Sequence, residues 1–213
     1  MNRHTSLIVI GIAGPAGSGK DSAANALIAD RNTVRVALAD SMKGAFDDLS
    51  GPTREFHKDL DLSGTPIRSA WQRLGTEARD RVRGASLAWI HVVAMKIAYA
   101  YREHPRTRRS FVVPDIRYPY EADTLRRIVQ DLGGHYGTLA LQRLGTKTPV
   151  GIAGHSSESH FAQIRAEATY RNDRSLAELR GVTISFFDAV STGMYDRAIG
   201  LHDGEIDLPD EAA

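Results

Sequence analysis

The residues Gly14-Pro15-Ala16-Gly17-Ser18-Gly19-Lys20-Asp21 carry the clearest chemistry in this chain. Closely spaced glycines let a backbone curl so that successive N–H groups point inward at an anion. A lysine at the end of the curl adds a mobile full charge for the β- and γ-phosphates, and a helix starting there adds its positive dipole end. Gly14, Ala16, Gly17, Ser18, Gly19 and Lys20 are therefore candidate contacts for the phosphates of a nucleoside triphosphate. The position after the lysine ordinarily carries Ser or Thr, whose hydroxyl binds Mg²⁺. Here it is Asp21. A carboxylate can hold the ion directly or through water, because hard cations accept carboxylate oxygen, and Ser22 offers a hydroxyl beside it.

A second group lies further along. The apolar run Phe111-Val112-Val113-Pro114 ends in Asp115, a candidate metal ligand or base, with a turn or helix cap as the alternative. Arg117 follows two residues later and can clamp a phosphate with both arms of its guanidinium. Asp40 and Lys43 are candidate substrate contacts, against a helix cap (Asp40 or Ser41) and a solvated lysine. The pair Gly75-Thr76 interrupts a helical pattern that includes Gln72, Arg73, Leu74, Glu77 and Arg79. Glycine inside a helix costs about 1 kcal/mol relative to alanine, so a close approach by ligand or backbone is expected there. Arg73 and Arg79 are candidate phosphate or base contacts, while Arg81 and Arg83 are expected to face solvent.

Gln142-Arg143 opens a polar stretch containing His155-Ser156-Ser157-Glu158-Ser159-His160. A His-x-x-Glu pair lacks the third protein ligand that zinc needs. A mobile lid over the reacting phosphates is the favoured reading, with Arg143 and Arg165 supplying charge, and a surface loop is the alternative. Asn172 carries an amide that can read a nucleobase edge or form an Asx turn before the last helix.

Such residues work only if the surrounding elements bring them together. The apolar run Leu7–Ala13 predicts a strand directly before the glycine loop, and Ser22–Ile28 a helix after it. Further strands are expected at Thr33–Ala39, Ser110–Pro114, Tyr136–Leu141 and Ala168–Arg171. Helices are expected over Ser41–Leu49, Pro66–Val82, Leu87–Tyr101, Glu121–Leu132 and Leu176–Val190, the third of them buried, in a core or a dimer face. Alternation of strands and helices argues for an α/β protein with a parallel sheet covered on both faces, its ligands at the carboxyl ends of the strands. Ser50–Thr65 and Gly145–His160 lack periodicity, and the tail from Gly200 reads as a solvated acidic end.

Composition bounds the rest. At 213 residues, with 42% hydrophobic and 25% charged residues, the chain suits a single domain. A net charge of +1 provides no field that would favour nucleic acid or a membrane surface. No segment approaches the ~18 consecutive apolar residues of a membrane span, and no leader-like layout opens the chain, so a cytoplasmic protein is expected. With no cysteine, disulfides and thiolate metal sites are excluded.

Several short motifs occur in a telling order. They are Gly-x-x-x-x-Gly-Lys-Asp at Gly14–Asp21, Ala-Asp-x-x-Lys at Ala39–Lys43, Gln-x-Leu-Gly-Thr-Glu-x-Arg at Gln72–Arg79 and Asp-x-Arg-Tyr-Pro-x-Glu-Ala at Asp115–Ala122. A His-x-Ser-Glu element at His155–Glu158 and Asn172 before a leucine-containing helix complete the set. From about Ile8 to Leu179 the chain resembles the deoxynucleoside monophosphate kinases of tailed bacteriophages, members of the P-loop nucleotide-kinase group. Ser41 stands where that family often has proline.

The resemblance implies an α/β P-loop three-layer fold: a five-stranded parallel sheet, helices on both faces and a mobile lid at residues 143–166. It implies a helical acceptor-binding region within residues 50–105 and a flexible tail at 200–213. The implied reaction moves the γ-phosphoryl of ATP, with Mg²⁺, to a deoxynucleoside monophosphate. Lys20, Asp21, Asp115, Arg117 and Arg143 would be catalytic, with Asp21 and Asp115 near the metal. Asp40, Lys43, Arg73, Thr76, Glu77, Arg79, Arg117 and Glu158 would contact the acceptor, and Asn172 would lie near the donor adenine. Two rivals remain: another small-molecule P-loop kinase, of the phosphomevalonate or dephospho-coenzyme A type, and a non-catalytic nucleotide-binding switch.

Overall fold

The computed structural model describes residues 6–41, 43–44, 61–62, 65–66, 88–104, 109–143 and 160–195. In chain order these form β1 (Ile8–Ala13), α1 (Lys20–Arg31), β2 (Val34–Arg35), β3 (Asp61–Leu62), β4 (Thr65–Pro66), α2 (Ala88–Glu103) and β5 (Ser110–Ile116). Then come α3 (Pro119–Asp131), β6 (His135–Gln142), a 3₁₀ turn at His160–Gln163, β7 (Ala168–Arg171) and α4 (Leu176–Ser191). Residues 38–41 are also helical.

The main sheet has five strands in the order β2-β5-β1-β6-β7, all parallel. β1 is central: Ile8 pairs with Ser110 on one side and His135 on the other. Its near-continuous burial is what a strand covered on both faces requires. On one face Val9, Phe111, Val113 and Tyr136 pack against Ile90, Val93 and Ile97 of α2 and against Ala122, Leu125 and Val129 of α3. On the other, Ile10, Ile12, Val112, Leu139 and Leu141 pack against Ala23, Ala24 and Leu27 of α1 and Leu179, Phe186 and Val190 of α4. The result is the expected three-layer α/β fold.

Two arginine forks fasten α1 to α4. Arg31 donates from Nε to Asp188 Oδ1 at 2.9 Å and from Nη2 to Oδ2 at 2.6 Å, and Arg180 makes the reciprocal two-pronged pair with Asp30. Exposed pairs of this kind add little stability each, but their planar geometry fixes how the helix behind the glycine loop is aimed.

Element boundaries differ from expectation in instructive ways. The predicted strand Thr33–Ala39 is a strand only at Val34–Arg35, with one more main-chain bond from Val36 N to the Val112 carbonyl at 2.9 Å before the chain turns helical at residue 38. β5 runs on through Asp115 to Ile116. α2 is buried along one stripe only: Ile90, Val93, Ala94 and Ile97 are in the core, while Met95 and Tyr99 are exposed. Pro66, expected to open a helix, pairs with Asp61 in the antiparallel β3–β4 ladder. The remainder of the predicted helix Pro66–Val82, with the acidic tail, lies outside the described residues. Among the described residues no helix is long and apolar enough to cross a membrane.

Two glycines test this packing with opposite signs. A Cβ on Gly137 of β6 would sit 2.5 Å from Val190 Cγ2 and 3.0 Å from Phe186 Cζ, whereas one on Gly181 of α4 would meet nothing within 4 Å. Gly137→Ala is expected to destabilise by about 1–3 kcal/mol through overpacking. Gly181→Ala is expected to stabilise by about 0.5–1 kcal/mol, because helical glycine is entropically costly. Urea midpoints of the two variants check both signs.

Candidate functional site: a glycine loop at the carboxyl edge of the sheet

The chain leaves β1 at Ala13 and folds into the loop at Gly14–Gly19. Gly14 and Gly19 have φ of 142° and 100°, left-handed values that L side chains rarely adopt. Space forbids side chains there as well. A Cβ on Gly14 would run into the carbonyl oxygen of Leu141, and one on Gly19 into the side-chain amide of Asn172. The loop is thus seated directly on the ends of β6 and β7. Asn172 is buried and donates from Nδ2 to the carbonyl of Ser18 at 2.9 Å. An amide expected near a nucleobase is therefore found supporting the loop from below.

α1 begins at Lys20, with Gly19 as its N-cap and no side-chain cap on its first amides. Uncapped amides at a helix start are a ready anion site. The Lys20 ammonium folds back and donates to the carbonyls of Gly14 at 2.7 Å and Pro15 at 2.6 Å. The charge expected to meet phosphate thus lies against the loop itself. In the first turn of α1, the Asp21 side chain is 88% exposed and Ser22 is exposed too.

β5 is parallel to β1 and delivers Asp115 and Arg117 to the same edge. Asp115 is only partly exposed, and its two oxygens accept the amides of Leu38 (2.9 Å) and Ala39 (2.7 Å). The carboxylate thus holds the first amides of a helical turn that belongs to another part of the chain. Burial pushes this carboxyl above the ordinary range, against the pull of those amides and of the Arg117 and Arg35 charges. Each oxygen keeps a further lone-pair direction for a metal or water.

Arg117 is held through its main chain. Glu121 Oε2 accepts the amides of Arg117 (2.8 Å) and Tyr118 (3.1 Å), and the residue is 8% exposed. Burial raises the Glu121 carboxyl to about 7; the Asp115 charge adds to the rise, while the two amides and the Arg117 charge oppose it.

Asp40 lies in the helical turn and accepts from Arg35 Nη1 at 2.5 Å, while Arg35 Nη2 is 4.0 Å from Asp21. Lys96 of α2 donates to Ser41 Oγ at 2.9 Å. Lys43 is in helical backbone and half-buried, and Arg143 is exposed just past β6. His160 packs edge-on to Tyr118, which stacks on Tyr120. Arg165 is exposed, and its carbonyl accepts from Arg126. Arg73, Thr76, Glu77, Arg79, His155 and Glu158 lie outside the described residues.

The structure thus brings Lys20, Asp21, Asp40, Asp115 and Arg117 to one edge, and adds two residues that the sequence reading missed. Arg35 breaks the apolar run Val34–Leu38, and Glu121 follows Pro119 at the third helical position, the place of a capping-box glutamate. Among the described residues no group of three or more His, Asp or Glu side chains converges on a metal. An ion here would rest on one or two carboxylates with phosphate and water, the manner in which Mg²⁺ is usually held.

A central first strand, a glycine loop seated on its neighbours and a helix opening at Lys20 together define a P-loop α/β fold. The chain is similar in structure to the APS kinase of Mycobacterium tuberculosis in complex with AMPPNP and APS, with 15% identity, a TM-score of 0.48, and coverage of 86% of this chain and 98% of that one. It is similar also to a gluconokinase from Sinorhizobium meliloti, with 13% identity, a TM-score of 0.46 and coverage of 92% and 99%. A third likeness is to shikimate kinase from Aquifex aeolicus, with 10% identity, a TM-score of 0.45 and coverage of 87% and 99%. No family model and no curated protein matches the sequence. The fold assignment rests on this chain's own strand order and loop geometry.

Glu121 makes the site's stability depend on pH. Its carboxyl titrates near 7 when folded against an ordinary 4.5, so the folded protein binds the extra proton between those values. Its contribution to stability is full below pH 4.5 and is lost as pH rises through about 7. We expect wild-type stability to fall by a few kcal/mol across that window, and Glu121→Gln to flatten the fall while keeping an oxygen for the two amides. Urea midpoints measured from pH 4.5 to 8 check it.

Proposed function

We propose that the protein is an ATP-dependent phosphotransferase whose acceptor is a deoxynucleoside 5'-monophosphate, giving the diphosphate. The observation that carries the reading is the placing of two cationic groups on one sheet edge. Lys20 lies on the loop carbonyls after β1, and Arg117 is fixed by Glu121 after the adjacent parallel strand. Phosphoryl transfer needs positioning and positive charge more than a strong base, because charge spreads over the equatorial oxygens. A donor cradle and an acceptor clamp side by side supply both.

The roles follow from position. The loop amides and Lys20 bind the donor phosphates. Asp21 and Asp115 are the carboxylates suited to hold Mg²⁺, which when bound would neutralise charge on those phosphates. Arg117 orients the acceptor phosphate, and Arg143 stands past β6 to add charge. The Leu-Gly-Thr-Glu run at Leu74–Glu77 and the Tyr-Pro-x-Glu-Ala run at Tyr118–Ala122 favour a nucleoside monophosphate over other acceptors, through the family resemblance. A switch protein would hydrolyse nucleotide slowly and have no use for an acceptor clamp.

A panel of dNMPs, phosphomevalonate and dephospho-coenzyme A, each with Mg-ATP, tests the acceptor. Transfer to at least one dNMP is expected, and transfer only to another acceptor, or to none, would refute the assignment. Lys20→Ala is expected to lower kcat by about 10²–10³-fold with an unchanged melting temperature. Arg117→Ala is expected to raise the KM for the acceptor more than that for ATP, and equal losses would contradict an acceptor-side role.

A further inference from the structure

We infer that Arg35 is a positioning residue that fastens the acceptor-side turn at residues 38–41 to the first turn of the P-loop helix. The inference rests on the kinase reading above. β2 is an edge strand of two paired residues, Val34 with Phe111 and Arg35 with Val112. So short a ladder holds little of the chain that follows it. That chain carries Leu38, Ala39, Asp40 and Ser41, and it is tied down by side chains instead. Asp115 takes the amides of Leu38 and Ala39, Arg35 takes Asp40, and Lys96 reaches Ser41.

The Arg35 guanidinium also faces α1. Its Nη1 is on Asp40 at 2.5 Å and its Nη2 is 4.0 Å from Asp21. A planar fork can address two carboxylates in different directions, which a lysine ammonium on a flexible stem does not do with the same geometry. Arg35 also lies close enough to Asp115 for its charge to favour that carboxylate's ionised form. Asp21, Asp40 and Asp115 come from α1, the turn and β5, and Arg35 offsets part of their like charge at the edge where phosphates must enter, with Arg117 also acting on Asp115.

The pairs are exposed enough, with Arg35 at 36% and Asp21 at 88% side-chain exposure, that they contribute little to global stability. The effect of Arg35 therefore belongs in the placement of the acceptor rather than in the melting temperature. It also gives Asp21 a second use: a serine or threonine at that position would present no charge to the guanidinium.

The experiment is a double-mutant cycle with Arg35→Ala and Asp40→Asn, with Arg35→Lys as the conservative variant. In Arg35→Ala we expect the KM for the acceptor dNMP to rise about tenfold, the KM for ATP to change less than twofold, and the melting temperature to hold. The double variant should be no worse than the poorer single one, and Arg35→Lys should recover part of the loss. Amide hydrogen exchange at residues 36–41 should quicken in Arg35→Ala. An acceptor KM within twofold of wild type, equal changes in both KM values, or multiplicative losses in the double variant would overturn the inference. Should the wild type phosphorylate no dNMP, the kinase reading fails. The fastening role is then decided by exchange alone, and unchanged exchange at 36–41 overturns it.

Discussion

The close seating of the glycine loop on the ends of two neighbouring strands is the constraint on which the rest depends. Gly14 leaves no room between itself and the carbonyl of Leu141, and Gly19 none before the amide of Asn172. A loop so placed needs β1 inside the sheet with a strand on either side, as the order β2-β5-β1-β6-β7 provides. The same seating determines where α1 starts and hence where its uncapped amides point. Asn172 is then structural before it is anything else, because its hydrogen bond to Ser18 closes the loop from beneath. The arginine forks between α1 and α4 keep the helix on the axis that the loop demands.

Much of this was legible in the sequence, for identifiable reasons. Short continuous apolar runs rich in Val, Ile and Phe, such as Leu7–Ala13 and Phe111–Val113, suit a strand covered on both faces. The glycine spacing before Lys20 is tied to a backbone shape that other residues cannot adopt. Less legible were features decided by long-range contacts. Asp115 could be assigned to the sheet edge, but nothing local showed that it would take the amides of Leu38 and Ala39, more than seventy positions earlier in the chain. Arg35 reads as an ordinary exposed charge until the turn carrying Asp40 folds beside it. The amphipathic character of α2 was hidden because Val92, Met95 and Tyr99 put apolar side chains on its exposed face as well.

Two buried or half-buried carboxylates at the edge do similar work. Asp115 and Glu121 each accept a pair of successive main-chain amides. A carboxylate that satisfies two orphan amides replaces the regular hydrogen bonding that a helix start or strand end lacks. Both pay with a raised pKa, as burial outweighs the amides that favour the charged form. The acids thus place the backbone, and the backbone places Arg117.

The charge balance at the edge explains how an aspartate can occupy a position that normally carries a hydroxyl. Lys20 donates to the loop carbonyls. Arg35 lies 4.0 Å from Asp21 and is shared with Asp40. Such exposed interactions are weak in water and grow as water is excluded. On the proposed kinase reading, an entering polyanion would offer Lys20 a stronger partner than a carbonyl, and the Asp21 carboxylate would suit a hard cation that accompanies it. On that reading Asp21 would bias the loop toward a nucleotide that arrives with its metal. Arg35, facing both Asp21 and Asp40, offsets part of the acidic charge at the edge. An isolated acid disfavours an anion beside it, whereas an acid that faces an arginine brings part of its own counter-charge.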